Sequence, residues 1–172
     1  MKLLSRITVA AALVAVAWAV ACSNAKQSGP TEPAAPPTPA AVEALRATLA
    51  PYASLKLAKD AGYDTQITDC MSNGDVGAMG EHFGKLALID GELDANVPEV
   101  LIYEPGVSGA LSLVGVEFVV PFALVPKSAQ PPTLFGQAFT PDDVFGLWTL
   151  HVWTHRANPS GLFAQWNPRV HC

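Results

Sequence analysis

The chain has 172 residues, half of them hydrophobic, with 15 prolines, three cysteines and a formal net charge of −5 at pH 7. An acidic chain without a basic cluster lacks the electrostatic footprint of a protein that grips nucleic acid or anionic headgroups, and nucleic acid is excluded as a partner. The length leaves room for one ordinary domain once the N-terminal segments are set aside.

Those segments come first. "MKLLSR" supplies two positive charges, and "ITVAAALVAVAWAVA", residues 7–21, follows without a charged residue. This is the pattern of a signal peptide spanning residues 1–21. As a helix the apolar run reaches about 22 Å, short of a hydrocarbon core of roughly 30 Å, so a permanent transmembrane helix is the weaker reading. "AVACSN" then leads from Ala19, Val20 and Ala21 directly into Cys22. This resembles the lipobox of bacterial lipoproteins, which implies lipidation of the Cys22 thiol and a membrane partner reached through the lipid anchor. Each buried methylene of an acyl chain contributes roughly 0.8 kcal/mol. The alternative is ordinary cleavage after Ala21, leaving a free Cys22 on a secreted chain. Ser23 is not the aspartate that tends to retain lipoproteins at the inner membrane. The expected location is extracytoplasmic and lipid-anchored, with the outer membrane or the cell surface open.

Residues 23–40, "SNAKQSGPTEPAAPPTPA", contain five prolines and no aromatic or large aliphatic residue. Such a segment cannot support a core. In polyproline geometry it extends to roughly 55 Å at about 3.1 Å per residue, the length of a spacer between Cys22 and a domain over residues 41–172. Without Lys2 and Arg6 the ten basic residues become eight against fifteen acidic, a formal charge of −7.

Within the domain, "AVEALRATLAPYASLKLAKDAGY" carries Leu45, Leu49, Tyr52 and Leu55 at helical spacing. Pro51 removes an amide donor and disfavours helix at Ala50, so the helix stops and restarts, or kinks, there. Gly62 is a C-terminal cap. The glycine-rich "CMSNGDVGAMGEHFG" reads as loop, followed by a short piece near Phe83 to Ile89 and turns at Asp90-Gly91 and Val97-Pro98. "EVLIYEP" and "ALSLVGVEFVVPF" form a predicted antiparallel hairpin. By alternation Leu111, Leu113 and Val119 lie on one face of the long strand, and Val114, Val116, Phe118 and Val120 on the other. "KSAQPPTLFGQAF" is a loop, and "TPDDVFGL" has a helix-start signal with Thr140 as N-cap and Pro141 in the first position. "LWTLHVWTH" is a strand, and the tail has two Asn-Pro turns. The fold class is α+β: an N-terminal helix packed on a small, mainly antiparallel sheet with long irregular loops.

Cys70 and Cys172 remain once Cys22 is assigned to the anchor, and an even pair in an oxidising compartment reads as a disulfide. The loop of about a hundred residues gives it up to roughly 4.7 kcal/mol in the chain-entropy model. A metal-binding thiol pair is the rival reading, and it lacks C-x-x-C spacing.

His151 and His155 stand four residues apart. On a strand that is roughly 13 Å, too far to share an ion with bonds of about 2.0 to 2.1 Å. His151 is mid-strand and buried; His155 is exposed. Glu117 interrupts an apolar strand, where an unpaired carboxylate costs several kcal/mol or takes up a proton. His82 follows "GAMGE", whose glycines allow close backbone approach. His82, Glu117 and His151 from three separate elements make a facial site for one transition-metal ion, zinc, copper or iron. The competing reading is that Glu117 bonds to His151 or to loop amides with no metal. Met79 adds a soft ligand for copper, or only packs. His171 is a surface residue, Tyr103 and Glu104 line a cleft or cap the hairpin, and Trp148, Trp153, Trp166 and Phe163 form core rather than a ligand cage. The sequence has no nucleophile elbow, H-E-x-x-H, P-loop or dinucleotide fingerprint.

"AKDAGY", "GAMGEHF", "LIYEP", "LVGVEFVVP", "PPTLFGQAF", "LHVW" and "NPSGLFAQWNPRVHC" together resemble an uncharacterised family of exported bacterial proteins. The resemblance covers residues 57–172. It implies an α+β secreted domain in which His82, Glu117 and His151 belong to motif blocks, and it implies no activity. The chain departs from the family's "HF-x-N" at "HFGK", where Lys85 replaces the asparagine. Three functions stay open: a tethered metal-binding domain, a metal-dependent enzyme using the same centre, and a structural or interaction lipoprotein whose polar centre organises the core.

Overall fold

The computed structural model describes residues 39–172; the expected signal peptide, Cys22 and nearly all of the expected spacer lie outside the described residues. Helix α1 runs Pro39–Leu49 and buries Val42, Leu45 and Leu49, one stripe of its surface. It ends where Pro51 enters, the chain passes through a 3-10 turn at Ala50–Ala53, and α2 restarts at Leu55–Asp60. The Ser54 hydroxyl accepts from the Leu57 amide at the new N-terminus, and Gly62, at φ 98°, turns the chain out of the helix. The expected stop and restart is what the backbone does. Among the described residues no helix is long and apolar enough to cross a membrane.

Strands β1 (Thr65–Ser72), β2 (Ala78–Gly84), β3 (Val100–Pro105) and β4 (Leu111–Pro121) follow in chain order. A two-stranded ribbon, β5 (Thr133–Leu134) and β6 (Gln137–Ala138), precedes β7 (Thr140–Asp142) and β8 (Leu147–Val152). Six strands form one antiparallel sheet in the order β1-β2-β3-β4-β8-β7. The architecture is α+β.

One sheet face carries Phe83, Leu101, Tyr103, Val116, Phe118, Val120, Trp148, Leu150 and Val152, and these share a core with Leu45, Leu49 and Ala58 from the helices. The residues between them, including His82, Val100, Glu117, Val119, Thr149 and His151, face the other way. Residues from β1, β2, β4, β7 and β8 line one common pocket there, so the sheet is curled around this second face.

Three expectations are corrected. The passage expected as loop from Cys70 to Gly84 contains the end of β1 and all of β2, so His82 is a strand residue. Two of its glycines are places of close backbone approach: a Cβ on Gly77 would meet the Asn167 carbonyl at 2.4 Å, and one on Gly80 the Tyr103 carbonyl oxygen at 2.5 Å. The Thr140 segment is a strand and not a helix start. The Asp142 carboxylate accepts from the Val144 and Phe145 amides and Gly146 N–H returns to the Asp142 carbonyl, which closes a tight hairpin into β8. Finally, β4 has a register shift, with Ile102 opposite Gly115 and Tyr103 opposite Leu113. The extra residue, Val114, breaks strict alternation. Leu113 therefore joins Val116 and Phe118 in the main core, while Val114 packs with Ile102 and Trp153.

The tail is held by polar contacts. Asn158 and Asn167 each close a turn by accepting from the amide two residues on, and Asn167 exchanges backbone hydrogen bonds with Ala78. Glu104 pairs with Arg156 and accepts from the His171 amide at 3.0 Å. The Cys70 and Cys172 sulfurs lie at disulfide-bonding distance with Cα atoms 5.5 Å apart.

Candidate metal centre

Glu117 on β4 stands directly opposite His151 on β8, so their side chains leave the sheet as neighbours. His82 reaches the same spot from β2. It pairs with Ile102 on β3, two residues from Val100, and Val100 in turn pairs with Glu117. The three side chains thus share a face across four strands, and the curl of the sheet brings His82 over β3 toward the other two. One ligand atom from each of the three lies within 4.8 Å of the others.

The contacts converge without closing. His151 Nδ1 is 3.5 Å from one Glu117 oxygen and His82 Nε2 is 3.8 Å from the other. Neither is a hydrogen bond, which for such atoms falls at roughly 2.7 to 3.2 Å. An ion bound at about 2.0 to 2.2 Å from each donor holds its ligands roughly 3.0 to 3.4 Å apart, so small side-chain rotations would complete the coordination. His151 Nε2 is fully buried with no hydrogen-bond partner. A buried polar atom left this way costs about 1–3 kcal/mol, and it is the second nitrogen of the ring whose Nδ1 faces Glu117.

The surroundings fix both rings. His82 Nδ1 is 2.8 Å from the Thr68 hydroxyl, the outer partner that leaves Nε2 free to ligate. The His151 ring stacks on Trp153, with centroids 6.2 Å apart, and meets the His82 ring edge-on at 5.8 Å. Burial dominates the charges. It lowers His82 to about 4, partly offset by a Gly80 backbone hydrogen bond, and lowers His151 to about 3, helped by His82. Burial raises Glu117 to about 8, and the nearby Asp142 and Glu99 carboxylates add to it. Burial thus favours the uncharged form of each group: imidazoles with lone pairs to donate and a Glu117 proton that a cation would displace.

A pocket of about 50 Å³ opens beside the three side chains, walled by Ile67, Met71, Met79, Val119, Phe145 and Leu147 among others. Its size admits a few water molecules. Thr68, Thr149, Asp142 and Gln165 add polar groups to its wall. Thr68 and Met71 gave no sequence signal, because β1 is polar and irregular along its length.

The other candidates separate cleanly. His155 is exposed and outside the cluster, and His171 is exposed with only its backbone engaged. Tyr103 is fully buried and donates to the Tyr52 carbonyl at 2.6 Å, so it lines no cleft. Trp148 and Trp153 are buried, their indole N–H groups donating to the Val125 and Ala164 carbonyls. Met79 lines the pocket. Cys22 lies outside the described residues. Compared with known protein families, curated proteins and solved structures, this chain has no match.

Proposed function

We propose that this chain is an extracytoplasmic domain, anchored to a membrane through Cys22 and its proline-rich spacer, that binds one transition-metal ion through His82, Glu117 and His151. The observation that carries the reading is the unclosed gap: the buried His82 and His151 rings stand 3.8 and 3.5 Å from the two oxygens of the half-buried Glu117, converging on one point without a hydrogen bond between them. A two-histidine, one-carboxylate set suits iron, zinc or copper and leaves coordination positions open.

The test is metal content after loading with zinc or cobalt and exhaustive desalting. One equivalent is expected in the wild type and less than a tenth of that in His82→Ala and His151→Ala. Wild-type protein that retains no metal, with a melting temperature indifferent to chelator, returns the cluster to a structural role.

The pocket beside the centre favours a second reading, a metal-dependent enzyme in which the ion acts as Lewis acid or redox centre. An exchangeable water on the loaded ion, detected by relaxation of solvent protons with a paramagnetic metal, separates it from a closed binding site.

A further inference from the structure

Two of the three register shifts in the β1–β2 pairing favour the same side of the sheet. Thr68 pairs with His82 and Met71 with Gly80, so β1 carries one extra residue over that interval. Met71 pairs with Gly80 and Ser72 with Ala78, so β2 carries Met79 as the extra residue in the next. Simple alternation would send Met71 to the face opposite Thr68, and Met79 to the face opposite His82. Each inserted residue reverses that assignment, as bulges do when they re-aim a side chain.

Both methionines consequently line the pocket with His82, Glu117 and His151. Met79 is 5% exposed and packs on the pocket side of the sheet, with Val100 and Val119, away from the main core. The second shift depends on Gly80, whose φ is 97° and where a Cβ would lie 2.5 Å from the Tyr103 carbonyl oxygen.

From this placement, and resting on the reading of His82, Glu117 and His151 as ligands, we infer that Met71 and Met79 present thioether sulfur to the same ion and make the centre selective for copper(I). Thioethers are soft, polarisable donors that add affinity for copper(I), and imidazole suits copper as well. Zinc draws on the imidazoles and the carboxylate and gains little from a neutral thioether.

The experiment uses the chain from Ser23 onward, exported behind a cleavable signal peptide that replaces residues 1–22, so that neither Met1 nor the Cys22 thiol is present, under anaerobic ascorbate with the Cys70–Cys172 pair verified as oxidised. Copper(I) affinity is read by competition with a chromogenic chelator and zinc affinity in parallel. The Met71→Leu, Met79→Leu double variant, which nearly conserves volume, is expected to lose at least tenfold in copper(I) affinity while zinc affinity stays within twofold. Selenomethionine labelling tests the same contact without a substitution. The chain has three methionines, Met1 among them, so once the signal peptide is removed a copper–selenium shell in X-ray absorption reports Met71 and Met79 alone. Absence of that shell, or unchanged copper(I) affinity in the double variant, overturns the thioether inference while zinc binding still supports the three-ligand centre. A wild type that binds neither metal overturns both.

Discussion

Replacing Glu117 with glutamine keeps the shape of the side chain and removes a carboxyl that burial has raised from 4.5 to about 8. Between those values the folded protein holds a proton that the unfolded chain has released. The contribution is therefore fully present below about 4.5 and is lost as pH rises through about 8. Glu99, raised by burial to about 7, behaves in the same sense. His82 and His151, lowered from 6.5 to about 4 and about 3, act in the opposite sense: their contribution is present above 6.5 and lost as pH falls toward the folded values. From 4.5 to 6.5 the two pairs offset one another; above 6.5 the histidine contributions fade within about a pH unit and the carboxyls dominate, so stability declines. One pH unit corresponds to 1.36 kcal/mol per group, so between pH 6.5 and 8 Glu117 accounts for a loss of roughly 2 kcal/mol. Urea unfolding of metal-free protein in chelator, followed by tryptophan fluorescence at pH 6.5 and 8.0, measures it. With the two histidines offsetting Glu99, the wild type is expected to lose roughly 1.5 to 2 kcal/mol over that interval, and Glu117→Gln less than about 0.5. Equal losses in the two proteins would refute the argument that burial keeps Glu117 protonated.

Thr68→Val removes the hydroxyl that orients His82 and should lower zinc affinity roughly 10- to 100-fold, measured by competitive titration, without abolishing one-to-one stoichiometry. Gly80→Ala is expected to cost more than about 2 kcal/mol in urea unfolding, because strain at positive φ adds to the clash with the Tyr103 carbonyl. Cys70→Ser with Cys172→Ser opens a loop closed over 102 residues and should cost up to about 4.7 kcal/mol, read as a fall in melting temperature that wild-type protein reproduces only under reductant.

The residues legible in the sequence were those whose chemistry contradicts their neighbours. Glu117 stands in an apolar strand, His151 lies in the middle of another, and burial without partners is what made each conspicuous. The helix break was equally direct, because Pro51 acts through its own missing amide hydrogen. Long-range pairing was opaque. Strand β2 reads as loop because Gly77, Gly80 and Gly84 look like turn residues, whereas Gly77 and Gly80 let the Asn167 and Tyr103 carbonyls approach. The bulges at Val114 and Met79 arise from how adjacent strands register, so the faces of Leu113 and Met79 could not be assigned by counting along one strand. Thr140-Pro141-Asp142 carries residues that suit both a helix start and a tight hairpin, and pairing with β8 decided between them.

Nitrogen-15 spectra of the histidine rings during zinc titration test metal binding at this centre most directly, since they identify each ligating atom. One ring nitrogen of His82 and one of His151 are expected to move to the metal-bound range together, saturating at one equivalent, while the His155 and His171 signals stay in place. Spectra in which His155 or His171 responds instead, or in which all four rings ignore the metal, would contradict the assignment.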